Sequence, residues 1–483
     1  MECNSILTQF DSTLMTDILT GWYWRSRPLN HQTGSQIFER LFNDNQTIAT
    51  LLESPFPTLT DYPYLSRYSI CAGKPRIINK KPQIWTPKLG EVFPFLHSLL
   101  QRNFCLSESP NHLPFIGGWL GWLGYDSAWE IEQLPHKNRD ILPFPVAYWY
   151  EPESFAILDH VEQTLWLAST TLDQLDQLEQ KLDQDPSLVS DIFTPPSSIS
   201  FYTTQQEYEN TVRQAKKYIE AGDIFQANLS LRFHTTTAAN SWTIYRNLQK
   251  INPSPFASYW RTPWGDVISC SPERLIQLQG NQAQTRPIAG TRPRGKTPEL
   301  EQHLLAELTR DIKEQAEHIM LVDLERNDLG RVCQWGSVYV DELLTIERYS
   351  HVIHLVSNVR GTLARDRNVI DLIKALFPGG TITGCPKVRC LEIIEELEPL
   401  RRNLFYGSCG YLDQRGNLDL NILIRTLLST SLSNGLKGIW GQVGAGIVAD
   451  SDPEKEWYES LQKAQAQLAA LNEVRSQKSE VRS

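Results

Sequence analysis

Apolar segments joined by turns too short for a helical crossover constrain this chain more than any other feature. "DVISCSPERLIQLQG" (266–280), "LDLNILIRTLLSTS" (418–431) and "GIWGQVGAGIVA" (438–449) read as strands. Antiparallel strands can be joined by tight turns, whereas parallel neighbours need a crossover of a dozen or more residues. The first half carries more such runs, "RYSICAG", "GGWLGWLGYD" and "FPVAYWYEPESFAILDH", broken by Gly and Pro. Helical apolar spacing appears between strands, as in "TQQEYENTVRQAKKYIEAGD" (204–223) before "IFQANLSLRFHTTT" (224–237). The expected class is α+β rather than a doubly wound parallel sheet.

At 483 residues the chain exceeds one ordinary core. The polar helix candidate "TTLDQLDQLEQKLDQDPSLVS", followed by "DIFTPPSSIS", marks a linker, so we expect an N-terminal domain over 1–195, a second over 196–470 and a polar tail over 471–483. The 46 basic and 56 acidic residues give a formal charge of -10, which disfavours nucleic acid or an anionic membrane as the partner. The 8 cysteines form no CxxC pair, so neither a zinc site nor a disulfide framework is expected. Without a signal-peptide pattern or a run of spanning length, the expectation is a soluble, cytoplasmic protein. Cys409 in "YGSCGY" lacks the partners of a nucleophile and reads as a packed small residue.

Two glutamate pairs, Glu314/Glu317 and Glu456/Glu459, sit at helical spacing, so each pair can point both carboxylates the same way. Spacing alone leaves two readings, a solvated helix face or an oxygen-only cation site suited to magnesium. "FPGGTITGCPKVRC" places a Gly-rich turn before a helix starting near Pro386, either an anion-binding turn or a structural one.

These features recur within ordered blocks: "GDIFQANLS" (222–230), "NPSPFASYW" (252–260), "SPERL" (271–275), "RPIAGTRPRG" (286–295), "EHIMLVDLERNDLGRV" (317–332), "HLVSNVRG" (354–361), "FPGGTITGCPK" (377–387) and "GAGIVADSDPEKEW" (444–457). With "LLES" (51–54) and "SRYS" (66–69) upstream, the chain resembles the chorismate-binding enzymes, the family that includes the large components of anthranilate synthase and aminodeoxychorismate synthase. The resemblance implies antiparallel sheets packed as a sandwich core with flanking helices. It implies Mg2+ held by Glu317 and Glu459 with Glu314 and Glu456 reinforcing them, and clamping the ring carboxylate of chorismate. Arg425, Lys463, Gly444 and Gly446 would hold the carboxylates, with Thr381 and Thr291 nearby, and His354 would give a proton to the leaving hydroxyl. Without the motif, His354 reads as a core histidine. Ser54, Pro253, Ser254, Pro255 and Phe256 look like the tryptophan pocket of relatives.

Relatives that add water to chorismate carry a lysine base where this chain has Gln226, and an amide cannot take that role. Ammonia is then the expected nucleophile, supplied by a separate glutamine amidotransferase subunit, since the 483 residues show no glutaminase Cys with His/Glu partners. Asn228 in "QANLS", together with "NPSPFAS", "FPGGTITG", "RRNLFYGSCGY" and "GIVADSDPE", leans toward aminodeoxychorismate synthase and folate synthesis. Ala289 in "PIAGT" departs from that pattern, which has an attacking lysine there, and matches anthranilate synthases of tryptophan synthesis. The expected product is 4-amino-4-deoxychorismate, the alternative is anthranilate plus pyruvate, and a catalytically silent chorismate- or tryptophan-binding regulator is the reading from another class.

Overall fold

The computed structural model of the chain describes residues 21–44, 47–55, 66–102, 109–184, 196–348 and 352–472, with backbone alone at Ala289, Thr291, Pro293, Ile312, Lys313 and Val352. The first half of the "DIFTPPSSIS" linker and all but the first two residues of the polar tail lie outside the described residues. Every strand pairing within the two large sheets is antiparallel, as the short connections require.

Among the described residues one sheet has twelve strands and the other ten. Central strands alternate between two cores, so they are buried on both faces. Trp260, Val267, Leu428, Phe155 and Ile157 join the core that also holds Trp119, Trp122, Ile276 and Leu420 of the ten-stranded sheet. Their neighbours Tyr259, Ile268, Leu427, Ala156 and Leu158 point the other way, into a second core with helices Gly34–Leu41, Leu172–Asp183, Gln205–Glu220, Ser241–Ile251 and Pro453–Asn472. This is the sandwich with flanking helices.

Both sheets run across residue 195. Ala49–Glu53 pairs with Phe256–Thr262, and Gly118–Leu123 pairs with Ser408–Asp413. Two segments that read as single strands are each split between the sheets. Gly265–Ser271 belongs to the twelve-stranded sheet and Arg274–Gln279 to the ten-stranded one, while Leu418–Asn421 and Thr426–Ser431 divide the same way. The chain changes sheet at Pro272 in the first case. In the second it changes at 422–425, where Arg425 takes a φ of +52°. The two crossings are tied together by Ser271 Oγ donating to Ile422 O (2.6 Å) and Ile422 N–H donating to Glu273 O (3.0 Å). The crossings thereby set Glu273 and Arg425 at one seam of the sandwich.

Candidate active site

Glu314 and Glu317 lie on helix Ile312–Gly330, and Glu456 and Glu459 in the first turns of helix Pro453–Asn472. Gln226–Thr237 pairs with Lys437–Ile447, setting Asn228 opposite Gly446 and Ser230 opposite Gly444. Gln226 Nε2 donates to Glu317 Oε1 at 2.7 Å. A Cβ added at Gly446 would stand 2.2 Å from Gln226 Nε2 and 3.3 Å from Glu317 Oε1, so glycine there makes room for both side chains. At Gly444 a Cβ would meet Leu229 O at 2.3 Å and the Tyr406 hydroxyl at 2.9 Å.

Glu314 accepts from Arg292 Nη1 at 2.8 Å, and its Oε2 is buried with no hydrogen-bond partner among the described residues. Gly290, at φ +63°, cradles that oxygen: a Cβ would lie 2.3 Å from it. An oxygen-only donor set with a bare carboxylate oxygen fits a hard divalent cation in its chemistry. Among the described residues, however, no three Asp, Glu, His or Cys side chains are drawn into one cluster that could hold a metal ion. Glu459 is half-exposed and pairs with Lys463 Nζ at 2.8 Å.

Lys463 Nζ also donates to Gly444 O at 3.1 Å, and Arg425 donates to the Lys463 carbonyl. Burial lowers the pKa of Arg425, with Tyr406 acting in the opposite direction. His354 is buried on the strand opposite Thr291. Burial, reinforced by the Arg425 charge and partly offset by the Gly290 backbone, lowers its pKa to about 4, so the ring is neutral at pH 7. Ala289 pairs with Leu355 on the same two strands, where Ala289 and Thr291 are described by their backbone alone.

Thr381 sits in the short 3-10 turn Gly380–Ile382, ahead of helix Lys387–Leu397, whose N-cap is Pro386. Beside it is a residue with no local signal of a role in the sequence. Glu273, in "SPERL", is 5% exposed, and burial raises its pKa to about 8. The Thr381 side chain and the Ile288 N–H pull it down, and the nearby Glu325 carboxyl pushes it up. A carboxyl of this kind is protonated at neutral pH and can act as a general acid. Its signal in the sequence was only a charged residue between two strands, because Thr381 and Glu325 are distant along the chain.

Ser54 and the Pro253–Phe256 turn are brought together. Ser54 N–H donates to Ser69 Oγ at 3.1 Å, and Ser54 Oγ lies 2.8 Å from Tyr68 O and 3.4 Å from Pro255 O. Ser254 is buried beside Asn252, and the Arg274 guanidinium stands 4.9 Å over the Phe256 ring. Cys409 is buried, with its thiol pushed up to about 11 mainly by desolvation, as a packed residue should be.

The sequence profile of the chorismate binding enzymes matches residues 58–469. The chain is 64% identical over 458 residues to a Synechocystis sp. protein called anthranilate synthase component I-like protein, covering 94% of this chain and 92% of that one. It is 43% identical to aminodeoxychorismate synthase component 1 of Bacillus subtilis, covering 84% and 89%. Among solved structures, anthranilate synthase component I from Streptococcus pneumoniae superposes with a TM-score of 0.72 at 31% identity, over 83% of this chain and 92% of that one. Similarity this extensive, together with the antiparallel sandwich, places the chain in the chorismate-binding enzyme family.

Proposed function

We propose that this enzyme aminates chorismate with ammonia and forms 4-amino-4-deoxychorismate. The observation that carries the reading is the hydrogen bond from Gln226 to Glu317. An amide fixed as donor to a carboxylate is no base for activating water, whereas ammonia brings its own lone pair. The nitrogen bonds to the ring, the ring hydroxyl leaves with one added proton as water, and the ring gives up no electrons overall.

Glu273 supplies that proton in this reading, because it is the protonated group beside Thr381, while His354 is neutral and serves as a hydrogen-bonding wall of the site. Arg425, Lys463 and the backbone at Gly444 and Gly446 hold the substrate carboxylates, with Thr291 alongside. Glu314, Glu317, Glu456 and Glu459 would hold magnesium, which supplies Lewis-acid polarisation and orientation when bound. With Ala289 where a lysine would attack the ring, ammonia must attack directly. A separate glutamine amidotransferase would deliver it, in a cytoplasmic setting, and the Ser54 and Pro253–Phe256 cleft would take tryptophan.

Ala289 also favours a second reading, in which the same site eliminates pyruvate and releases anthranilate. One assay separates the two. The chain is incubated with chorismate, magnesium and ammonium, and an aminodeoxychorismate lyase is then added. 4-Aminobenzoate that appears only after the lyase supports the leading reading, and fluorescent anthranilate without lyase overturns it.

A further inference from the structure

Gln226 and Asn228 alternate with Ala227 on strand Gln226–Thr237, so their side chains leave the same face of it. Each amide NH2 is committed to a group that can only accept. Gln226 Nε2 donates to the Glu317 carboxylate at 2.7 Å, and Asn228 Nδ2 donates to the Thr381 carbonyl at 3.3 Å. These partners fix which end of each amide is oxygen. Gln226 Oε1 and Asn228 Oδ1 are both buried, and neither has a hydrogen-bond partner among the described residues. Gln226 as a whole is 3% exposed.

Gly446 brings the two amides together. It is the cross-strand partner of Asn228, and residues directly opposite hold their Cβ positions about 4.5–5.5 Å apart on one face. A Cβ at Gly446 would stand 2.2 Å from Gln226 Nε2, so the Gln226 amide occupies the place a side chain would take there, next to Asn228. The Asn228 backbone is clamped: its N–H donates to Thr383 O at 2.8 Å, and its carbonyl accepts from Arg402 Nη2 at 2.7 Å. Gln226 is held in turn by the Cys390 thiol, which donates to its carbonyl at 3.0 Å. Both oxygens are thus set in place by the protein itself.

Two buried acceptors side by side want a donor with more than one hydrogen. Ammonia has three N–H groups and a lone pair, so two hydrogens go to the two oxygens while the lone pair stays free to attack. A nitrogen at ordinary hydrogen-bond distance from both bridges oxygens up to about 6 Å apart. Amide oxygens take up no proton at neutral pH, so water in the same place would be held without being activated. We propose that Gln226 Oε1 and Asn228 Oδ1 form the seat of the ammonia nucleophile, beside Glu317. Asn228 is then a binding residue for the nitrogen and not for chorismate. The proposal rests on the amination reading above and holds for either amine product.

The test varies ammonium and chorismate separately, at one pH and saturating magnesium, and follows the loss of chorismate, a readout independent of the product. Asn228→Ala and Asn228→Leu both remove the oxygen, one leaving space and the other filling it. Half-saturating ammonium should rise about three- to tenfold in each, the effect of one lost hydrogen bond, while half-saturating chorismate should move less than about twofold. Lys463→Ala, at a carboxylate-holding position, should do the reverse. A second measurement needs no variant. In wild type, methylamine, which keeps two N–H groups, should compete with ammonium, and trimethylamine, which has none as the free amine, should not. Unchanged half-saturating ammonium in both Asn228 variants, a rise matched by chorismate, or equal effects of the two amines overturns the seat and leaves amination standing. If wild type consumes no chorismate with ammonium, the amination reading itself falls and the seat falls with it.

Discussion

Gln226 Nε2 donates to Glu317 Oε1 across 2.7 Å, joining the strand that faces Gly446 to the helix that carries the first glutamate pair. Glu317 can only accept, so the amide orientation is fixed by its partner, and Gln226 Oε1 is left buried without one among the described residues. Gln226→Glu would set two carboxylates at this distance, and one would have to take up a proton. We expect chorismate consumption with ammonium to fall at least about tenfold at pH 7, and the apparent magnesium requirement to rise. A magnesium titration of the initial rate checks this, and an unchanged rate and requirement would remove Gln226 and Glu317 from the site.

Gly446 and Gly222 differ in what a methyl group would meet. At Gly446 the Cβ would sit 2.2 Å from Gln226 Nε2, whereas at Gly222, φ +80°, nothing lies within 4 Å. Gly446→Ala should leave the fold intact and reduce turnover by roughly tenfold or more through misplaced Gln226 and Glu317. Gly222→Ala should cost about 1 kcal/mol of stability from the left-handed backbone and leave turnover alone. Paired thermal melts and rate measurements distinguish the two effects.

Local signals in the sequence carried part of this architecture. Gln205–Glu220, Leu172–Asp183 and the strand Gln226–Thr237 could be read from periodicity and caps, and the glutamate pairs from helical spacing. The sheet crossings at Pro272 and 422–425 could not, because apolar residues continue through both and nothing local says which sheet a strand joins. Glu273 was hidden for the same reason. Its protonation follows from burial and from Glu325, against the pull of Thr381 and Ile288, and none of these is a sequence neighbour.

Arg402 is the strut behind the site. Its side chain is 1% exposed, bonds both oxygens of Glu398, and donates to Ile382 O at 2.9 Å and Asn228 O at 2.7 Å. Its guanidinium also lies 4.7 Å from the Tyr125 ring and 4.5 Å from that of Tyr406. Arg402→Met strands a buried carboxylate, and breaking such a pair costs about 3–5 kcal/mol. Urea unfolding should show a loss of that size. A loss below about 1 kcal/mol would mean that Glu398 takes up a proton or finds other donors at little cost.

Ser54 stands between Tyr68 O and Pro255 O, so two separate segments meet at one small hydroxyl. If this cleft takes tryptophan, titration calorimetry should show binding well below about 1 mM, abolished by Ser54→Phe, which fills the gap. No heat at millimolar tryptophan would remove the ligand from the reading.

Glu273 should trade stability for chemistry, and the sign of the trade depends on pH. Burial raises its carboxyl from the ordinary carboxylate range to about 8 in the folded chain. A group whose folded pKa is raised contributes stability that is fully present below its unfolded value, near 4.5, and is lost as pH climbs through the folded one. Wild type should therefore weaken between about pH 5 and pH 8 through this residue, by on the order of a few kcal/mol. Glu273→Gln keeps the shape and cannot ionise, so its advantage over wild type in urea unfolding should be small at pH 5 and should grow by pH 8. The same substitution removes the proton given to the leaving hydroxyl, and turnover should fall by about 100-fold or more at every pH. A variant that gains alkaline stability while losing turnover fits a buried donor. A variant that keeps its turnover would show that the proton comes from elsewhere, whatever its stability.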